Sequence, residues 1–185
     1  MRTEDKKYFK YMTERSKLSL LLRKFFYIPI IKEFKGKLLD IGCGVGEFLQ
    51  WYPNSYGIDT NPYLVDYCKK RNLKCSFGSV YKIPFKNETF DCVLCSHLIE
   101  HLNKPELAMK EIRRVLRTGG KLIIILPTEK GYKRDKTHAK YWDKEKIESL
   151  LKKFNFKIKK LTYYPTKILS KYTYLGELRI IAIKL

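Results

Sequence analysis

The glycine-rich segment Leu38–Leu49 constrains the fold more than any other part of the chain. A strand-like apolar run ends at Gly42, and glycines recur at Gly44 and Gly46 before a helical run begins at Glu47. Glycine is required where a backbone turns sharply or approaches a ligand closely. A helix that starts behind such a turn presents free N–H groups. The segment therefore predicts a strand–loop–helix unit with a nucleoside site at the loop.

Strand-like and helical runs alternate from residue 37 to the end of the sequence. The predicted strands are 37–41, 56–59, 74–78, 89–96, 121–127, 156–164 and 177–185, and the predicted helices are 47–52, 62–72, 105–116 and 143–154. The last two strands are joined without a clear helix, which favours their antiparallel pairing. The pattern predicts an α/β fold: a Rossmann-like, seven-stranded, mostly parallel sheet with an antiparallel last strand and helices on both faces.

Two other kinds of glycine-loop site do not fit the residues. A dinucleotide fingerprint needs a glycine where Glu47 stands, and an acid at a helix start would repel a pyrophosphate. A P-loop needs a Gly-Lys-Ser/Thr sequence, which this loop lacks. Asp59 ends the second predicted strand, where a ribose hydroxyl acceptor is expected. The loop thus suits a nucleoside without phosphates, bearing an ammonium or sulfonium charge that Asp40 favours.

Five blocks, in order, resemble the class I S-adenosylmethionine-dependent methyltransferases, particularly the small-molecule group with a type 11-like domain. The blocks are Leu38–Leu49 with its L-D-I-G-C-G-x-G motif, Tyr56–Asp59, Gly78–Phe85, Phe90–Leu102 and Glu111–Gly120. Two positions depart from the family pattern. Ser79 stands where the family often has an aspartate toward the adenine amino group, and Thr118 replaces the usual proline before two glycines.

The resemblance implies S-adenosyl-L-methionine as cofactor and S-adenosyl-L-homocysteine as product. The cofactor-binding residues that it implies are Asp40, Gly42, Cys43, Gly44, Gly46, Asp59, Thr60, Gly78, Ser79, Val80, Ser96 and His97. His97, and the segment that carries His138 and Trp142, are the candidates for lining the acceptor pocket. No catalytic residue is identified, because the cofactor supplies the reactivity and the chain supplies alignment and water exclusion.

The length favours one domain over residues 1–185, in three parts. Residues 1–35 are expected to form a helical lid, 36–127 the cofactor-binding core, and 128–185 a substrate-side half. Within the lid, residues 4–26 carry apolar and aromatic side chains at helical spacing, and Pro29 is expected to interrupt the segment that follows. The chain is short for the family, which leaves room for a partner or a second copy in a homodimer to complete the pocket.

Five cysteines without an export signal favour reduced thiols in the cytoplasm. Cys92 and Cys95 have a metal-type spacing, but residues three apart on a strand point to opposite faces, and no metal site is expected. No apolar run is long enough to suggest a membrane span.

The net charge of +20 concentrates at the two ends of the sequence. Residues 1–37 hold 11 basic and four acidic residues, and residues 127–185 hold 16 and six. A small-molecule, lipid or glycan acceptor agrees with the sequence blocks, whereas the basic ends leave an RNA (tRNA) methyltransferase as the alternative. A third alternative is a non-enzymatic module that binds S-adenosylmethionine, against which the intact glycines and Asp59 argue.

Overall fold

The computed structural model describes residues 3–166, 168 and 176–185, and its strands form one sheet. The strands are β1 (Leu38–Ile41), β2 (Ser55–Asp59), β3 (Cys75–Phe77), β4 (Phe90–Ser96), β5 (Leu116–Pro127), β6 (Phe156–Tyr164) and β7 (Glu177–Lys184). Their order is β3-β2-β1-β4-β5-β7-β6, and β7 runs antiparallel to β5 and β6. The predicted α/β class and seven-stranded mixed sheet are confirmed.

Helices fill the connections between the strands. They are α1 (Thr3–Thr13), α2 (Lys17–Ile31), α3 (Glu47–Trp51), α4 (Pro62–Lys70), α5 (Pro105–Val115), α6 (Glu129–Arg134) and α7 (Lys144–Lys153), with a 3-10 turn at Ile99–His101. Helix α4 begins where Asn61 accepts a hydrogen bond from the Tyr63 N–H at 3.0 Å and Pro62 takes the first helical position. Asp143 caps α7 in the same way through the Lys146 N–H.

The core is divided between the two faces of the sheet. Along β4, Cys92 and Leu94 pack into one buried cluster, while Val93 and Cys95 pack into the other. This alternation is the period of two that a strand imposes. Cys92 and Cys95 therefore lie on opposite faces, as the sequence predicted.

Three details differ from the predicted elements. Pro29 does not interrupt α2 but lies in its last turn, where one hydrogen bond is lost while Ile30 packs into the core. Strand β5 starts at Leu116, five residues before its predicted start, because Leu116 pairs with Phe90 of β4. The register between the two strands is irregular here, and Gly119, at φ 74°, accommodates it. Helix α6 was not predicted, since it buries no side chain and so has no apolar periodicity.

Candidate active site

The glycine loop joins β1 to α3 in a conformation that needs its glycines. Gly42, Gly44 and Gly46 have φ angles of 74°, 55° and 75°, in the left-handed region that side chains rarely adopt. The N–H groups of Gly42 and Cys43 both donate to the Ile58 carbonyl of β2, at 2.8 and 3.1 Å. The loop is thus held against the carboxyl ends of two adjacent parallel strands, which is where sheets of this class bind ligands.

Asp59 at the end of β2 faces this loop. Its Oδ2 accepts a hydrogen bond from the Gly44 N–H at 2.9 Å, and its Oδ1 accepts one from the Asn61 N–H at 2.8 Å. Burial raises the pKa of Asp59, and these backbone hydrogen bonds offset part of that rise. The carboxylate is therefore fixed in place with lone pairs left for further donors.

Asp40 on β1 is a buried carboxyl group without a complete set of partners. It is 2% exposed, and among the described residues no donor reaches its Oδ2. Burial, with Asp59 beside it, raises the pKa of Asp40 well above its usual range. A buried polar atom without a partner is costly, so the site fits a ligand that brings a cationic N–H donor.

The other residues implied for cofactor binding have different surroundings. Thr60 is exposed, Ser96 ends β4, and the Gly78 N–H donates to the Asp59 carbonyl at 3.1 Å. Ser79 Oγ accepts a hydrogen bond from the Tyr81 N–H at 3.2 Å. The side chain of Val80 packs in the core, so only its backbone remains for a ligand.

Cys43, within the loop, belongs to a thiol cluster that the sequence analysis missed. Its Sγ lies 3.4 Å from Cys75 Sγ, and Cys68 Sγ donates to the Gly44 carbonyl at 3.4 Å. The three sulfurs come from the loop, from α4 and from β3, so no short spacing in the sequence reveals them. Hydrogen bonding with Cys68, together with burial, raises the pKa of the Cys43 thiol. The side chain of Cys43 thus packs beneath the loop.

Helices α1 and α2 cover the glycine loop. The Met12 methyl group of α1 lies 3.0 Å from the position that a Cβ atom on Gly44 would occupy. Asn61 Nδ2, before α4, donates to the Asp5 carbonyl of α1 at 2.8 Å. Buried Glu47 accepts hydrogen bonds from Arg15 at 3.2 Å and from Arg23 at 2.9 Å. Glu47, the acid that argued against a pyrophosphate site, therefore anchors the two N-terminal helices. Its position in the glycine motif did not indicate this role.

A cavity of about 800 Å³ opens between these helices and the start of β7. Its walls are largely apolar, and His97 lies at its junction with the end of β4. The lining residues are Tyr11, Arg15, Ser16, Leu18, Leu22, Arg23, Phe26, Tyr27, His97, Pro127, Tyr164, Pro165, Gly176, Glu177 and Arg179. The volume and the apolar walls of this cavity match those of typical small-molecule binding sites.

His97 lies between two carboxylates. Its Nε2 is 3.1 Å from Glu177 Oε1, its Nδ1 is 3.4 Å from Glu100 Oε1, and 38% of its side chain is exposed. Partial desolvation opposes the charged imidazole, but Glu100 and Glu177 outweigh it and raise the pKa of His97 to about 10. His97 is therefore an imidazolium at neutral pH and a hydrogen-bond donor rather than a base.

Glu177 connects the cavity to α2. It accepts a hydrogen bond from the Tyr27 hydroxyl at 2.7 Å and pairs with Arg179 at 2.8 Å. Burial works against its ionisation, but His97 and Arg179 lower the pKa of Glu177 to about 2. The buried network is thus charged and internally compensated.

Of the three acceptor-side candidates, only His97 lines this cavity. His138 stacks on Tyr132 in the loop before α7, and its Nδ1 is 2.8 Å from the Tyr132 carbonyl. Trp142 is 4% exposed and packs in the core. The segment that carries His138 and Trp142 therefore lies beside the cavity rather than in its wall.

Comparison with known proteins agrees with this site. The sequence profile of a family described as a methyltransferase domain matches residues 39–124, which span the glycine loop, Asp59 and β4. Among the described residues, no helix combines the length and the apolar character needed to cross a bilayer.

Curated relatives share the sequence over this core. An uncharacterized protein of Methanocaldococcus jannaschii is 33% identical over 140 residues, which cover 69% of this chain and 68% of that one. A tRNA (carboxymethyluridine(34)-5-O)-methyltransferase of Xenopus tropicalis is 34% identical over 56% of this chain and 18% of its own length. A demethylmenaquinone methyltransferase of Protochlamydia amoebophila is 28% identical over 58% and 53%. The chain thus spans about half or less of the two relatives whose reactions are named.

Solved structures share the whole fold. An S-adenosylmethionine-dependent methyltransferase from Thermotoga maritima has a TM-score of 0.74 at 21% identity, covering 96% of this chain and 99% of that one. The chain solved with the Trm112 methyltransferase activator of Haloferax volcanii has a TM-score of 0.77 at 14% identity, covering 95% and 96%. The likeness extends to the C-terminal strands, beyond the residues that the family profile matches.

Proposed function

Because the chain belongs to the class I S-adenosylmethionine-dependent methyltransferases, we propose that it methylates a mainly apolar small molecule or lipid that carries an acidic oxygen. The observation that carries this proposal is the cavity between α2 and β7, which has apolar walls and whose lining residues Arg15 and Arg23 pair with Glu47 next to the cofactor loop. Transfer proceeds by in-line displacement, for which the protein supplies alignment and exclusion of water.

The cofactor is held by the residues around the glycine loop. Asp40 pairs with the methionine ammonium group, which supplies the donor that its buried oxygen lacks. Asp59 accepts from the ribose hydroxyls, while the glycines let the methionine part lie against the backbone. The remaining contacts come from the ends of β3 and β4, as the family resemblance implies. When bound, the cofactor supplies a methyl group on a sulfonium centre.

The charges beside the cavity favour an anionic oxygen as the nucleophile. Arg15, Arg23, Arg179 and His97 place four cations there, against the carboxylates of Glu47, Glu100 and Glu177. Because His97 is already protonated and both of its N–H groups face Glu100 and Glu177, it does not remove a proton, and its positive charge favours an anionic acceptor oxygen nearby. The acceptor therefore has to ionise readily on its own, as a phenol or an enol does.

The two N-terminal helices serve as a lid over both ligands. Met12 lies over Gly44 on the cofactor side, while Leu22 and Phe26 line the acceptor cavity. Closing these helices excludes water from the space between the two sites, which in-line transfer to an oxygen anion requires. The division of the chain into a lid (1–35), a core (36–127) and a substrate-side half (128–185) agrees with this arrangement.

The proposal is tested by measuring cofactor binding and methyl transfer separately. We expect Phe26→Asp to abolish labelling of phenolic and quinol acceptors from methyl-labelled S-adenosylmethionine, with the affinity for S-adenosylhomocysteine changed less than about threefold. Leu107→Asp, at a half-exposed leucine of α5 outside the cavity, is the matched control and keeps both functions. Equal labelling by the two variants would overturn the placement of the acceptor.

RNA is the second candidate acceptor, favoured by the +20 charge and by the relative named as a tRNA methyltransferase. A protein that binds RNA through lysine and arginine contacts to phosphates loses affinity steeply as salt rises. Labelled methyl recovered in tRNA but in none of the phenolic acceptors, with steeply salt-dependent tRNA binding, would establish this candidate and reject the first.

A further inference from the structure

We propose that Glu100, His101 and His138 form a binding site for a zinc ion. One ligand atom from each of the three residues lies within 4.8 Å of the others. Glu100 and His101 belong to the 3-10 turn after β4, and His138 belongs to the loop before α7. This site is separate from the cofactor loop, and it does not depend on which acceptor the enzyme methylates.

The carboxylate of Glu100 is buried without the partners that it needs. Glu100 is 1% exposed, and neither of its oxygens accepts a hydrogen bond from the residues that the structure describes. Glu100 forms an ion pair with His97 at 3.4 Å, and this contact reaches only one side of the carboxylate. A buried carboxylate whose oxygens lack hydrogen-bond donors is costly, even beside one cation. A cation between Glu100 and the two imidazoles would supply the missing partner.

Both histidines have one ring nitrogen occupied by a backbone carbonyl. His101 Nδ1 is 3.2 Å from the Thr137 carbonyl, and His138 Nδ1 is 2.8 Å from the Tyr132 carbonyl. A carbonyl only accepts, so each Nδ1 carries the hydrogen and each Nε2 keeps a lone pair. A hydrogen bond of this kind is what orients a histidine that binds a metal.

The backbone brings the two ligand segments together before any ion arrives. The N–H groups of Ala139 and Lys140 donate to the Glu100 carbonyl at 2.8 and 3.1 Å. The rings of His101 and His138 lie 4.7 Å apart, and Tyr132 stacks on His138 at 5.2 Å. Binding therefore needs little rearrangement of the loop.

The chemistry of the donors selects the ion. Two imidazoles and one carboxylate are the protein ligands of many open zinc sites, in which water or another ligand takes a fourth position. Magnesium and calcium prefer oxygen donors and would gain little from two imidazoles. The histidines are half-buried, so the fourth position is open to solvent.

The test is a calorimetric titration of the chelator-treated full chain with Zn²⁺, repeated spectroscopically with Co²⁺. We expect one ion per chain and at least about 100-fold weaker binding in Glu100→Gln and in His138→Gln, because each removes one of three ligands. Glu106→Gln is the matched control, since it makes the same substitution at an exposed glutamate of α5 and leaves the three ligands in place. Binding of S-adenosylhomocysteine by each variant shows that it is folded.

The thiol cluster of Cys43, Cys68 and Cys75 is the competing site for a soft ion. Cobalt bound by thiolates shows intense near-ultraviolet charge-transfer absorption, which nitrogen and oxygen ligands do not give. Such absorption in the wild type, no binding at all, or equal affinity in wild type and His138→Gln would each overturn the proposal. Binding without that absorption, lost in both ligand variants and kept in Glu106→Gln, would support it.

Discussion

Asp59 joins the glycine loop to the start of α4 through two backbone hydrogen bonds. In Asp59→Ala both are lost, together with the acceptor for the ribose hydroxyls. Hydrogen bonds to a charged group contribute about 1.5–3 kcal/mol each, so we expect the affinity for S-adenosylhomocysteine to fall at least about 100-fold. Calorimetry measures this loss. Asp66→Ala, on the exposed face of α4, should bind like the wild type, and equal binding by both variants would contradict the assignment.

Asp40 makes cofactor binding depend on pH. Burial raises its pKa, so the neutral form stabilises the unliganded fold at low pH, and this contribution is lost as the pH rises through the raised pKa. A cationic ligand pairs with the ionised form. The rise in Tm caused by S-adenosylhomocysteine should therefore grow as the pH rises through the raised pKa of Asp40. Thermal scans test this, and Asp40→Asn should give a smaller rise with less dependence on pH.

Glu177 should stabilise the fold through its buried contacts with Tyr27, His97 and Arg179. Its removal in Glu177→Ala leaves cations without a partner, and we expect the free energy of unfolding to drop by about 3–5 kcal/mol in urea titrations. Since its pKa is lowered to about 2, its stabilising contribution is present above pH 4.5 and is lost as the pH falls toward 2. Glu129→Ala, at an exposed side chain, should change stability by less than about 1 kcal/mol.

Residues of the cofactor site could be predicted where one short segment carries the signal. The glycines, Asp40 and Asp59 stand in order around two predicted strands, and the structure brings them together at the ends of those strands. The cysteine cluster and the group of Glu100, His101 and His138 gave no such signal. Their members lie up to 38 residues apart in the sequence, so that only the folded chain shows their proximity.

At the level of elements, Glu47 forms the ionic attachment of the two N-terminal helices to the core, beside the apolar packing of α2. Its carboxylate meets Arg15 and Arg23, one from just before α2 and one from within it. In Glu47→Gln both arginines lose their counter-charge, and we expect faster limited proteolysis of residues 3–31 and about tenfold weaker S-adenosylhomocysteine binding. Glu14→Gln, which breaks an exposed pair with Lys10, is the matched control. Unchanged proteolysis in Glu47→Gln would contradict the anchoring role.

Elements with a clear apolar period were predicted from the sequence, and those without one were not. The central strands β1 and β4 are buried on both faces and read as apolar runs, which made their order along the chain evident. The early start of β5 depends on its pairing with Phe90, a contact that a single sequence does not reveal. Helix α6 has no fully buried side chain and so lacks the apolar stripe that identifies a helix.

For the whole molecule, a net charge of +20 implies repulsion across the surface of a 185-residue chain. Salt screens this repulsion over about 10 Å at 0.1 M. Raising potassium chloride from about 0.02 M to about 0.5 M should therefore raise Tm by roughly 2–4 °C, the change that corresponds to about 1 kcal/mol for a chain of this size. Scanning calorimetry checks this. A fall in Tm would mean that the ion pairs dominate over the repulsion.

On the proposed arrangement, in which α1 and α2 cover the cofactor and line the acceptor pocket, we expect the reaction to follow a fixed kinetic order. An acceptor seated against Phe26 holds the helices down, and Met12 then closes the route to Gly44. The donor must enter first and its spent form must leave last. Turnover at saturating substrate is then limited by the rate at which α1 and α2 separate from the Glu47 carboxylate. S-adenosylhomocysteine that accumulates inhibits the reaction by competing with the donor and not with the acceptor.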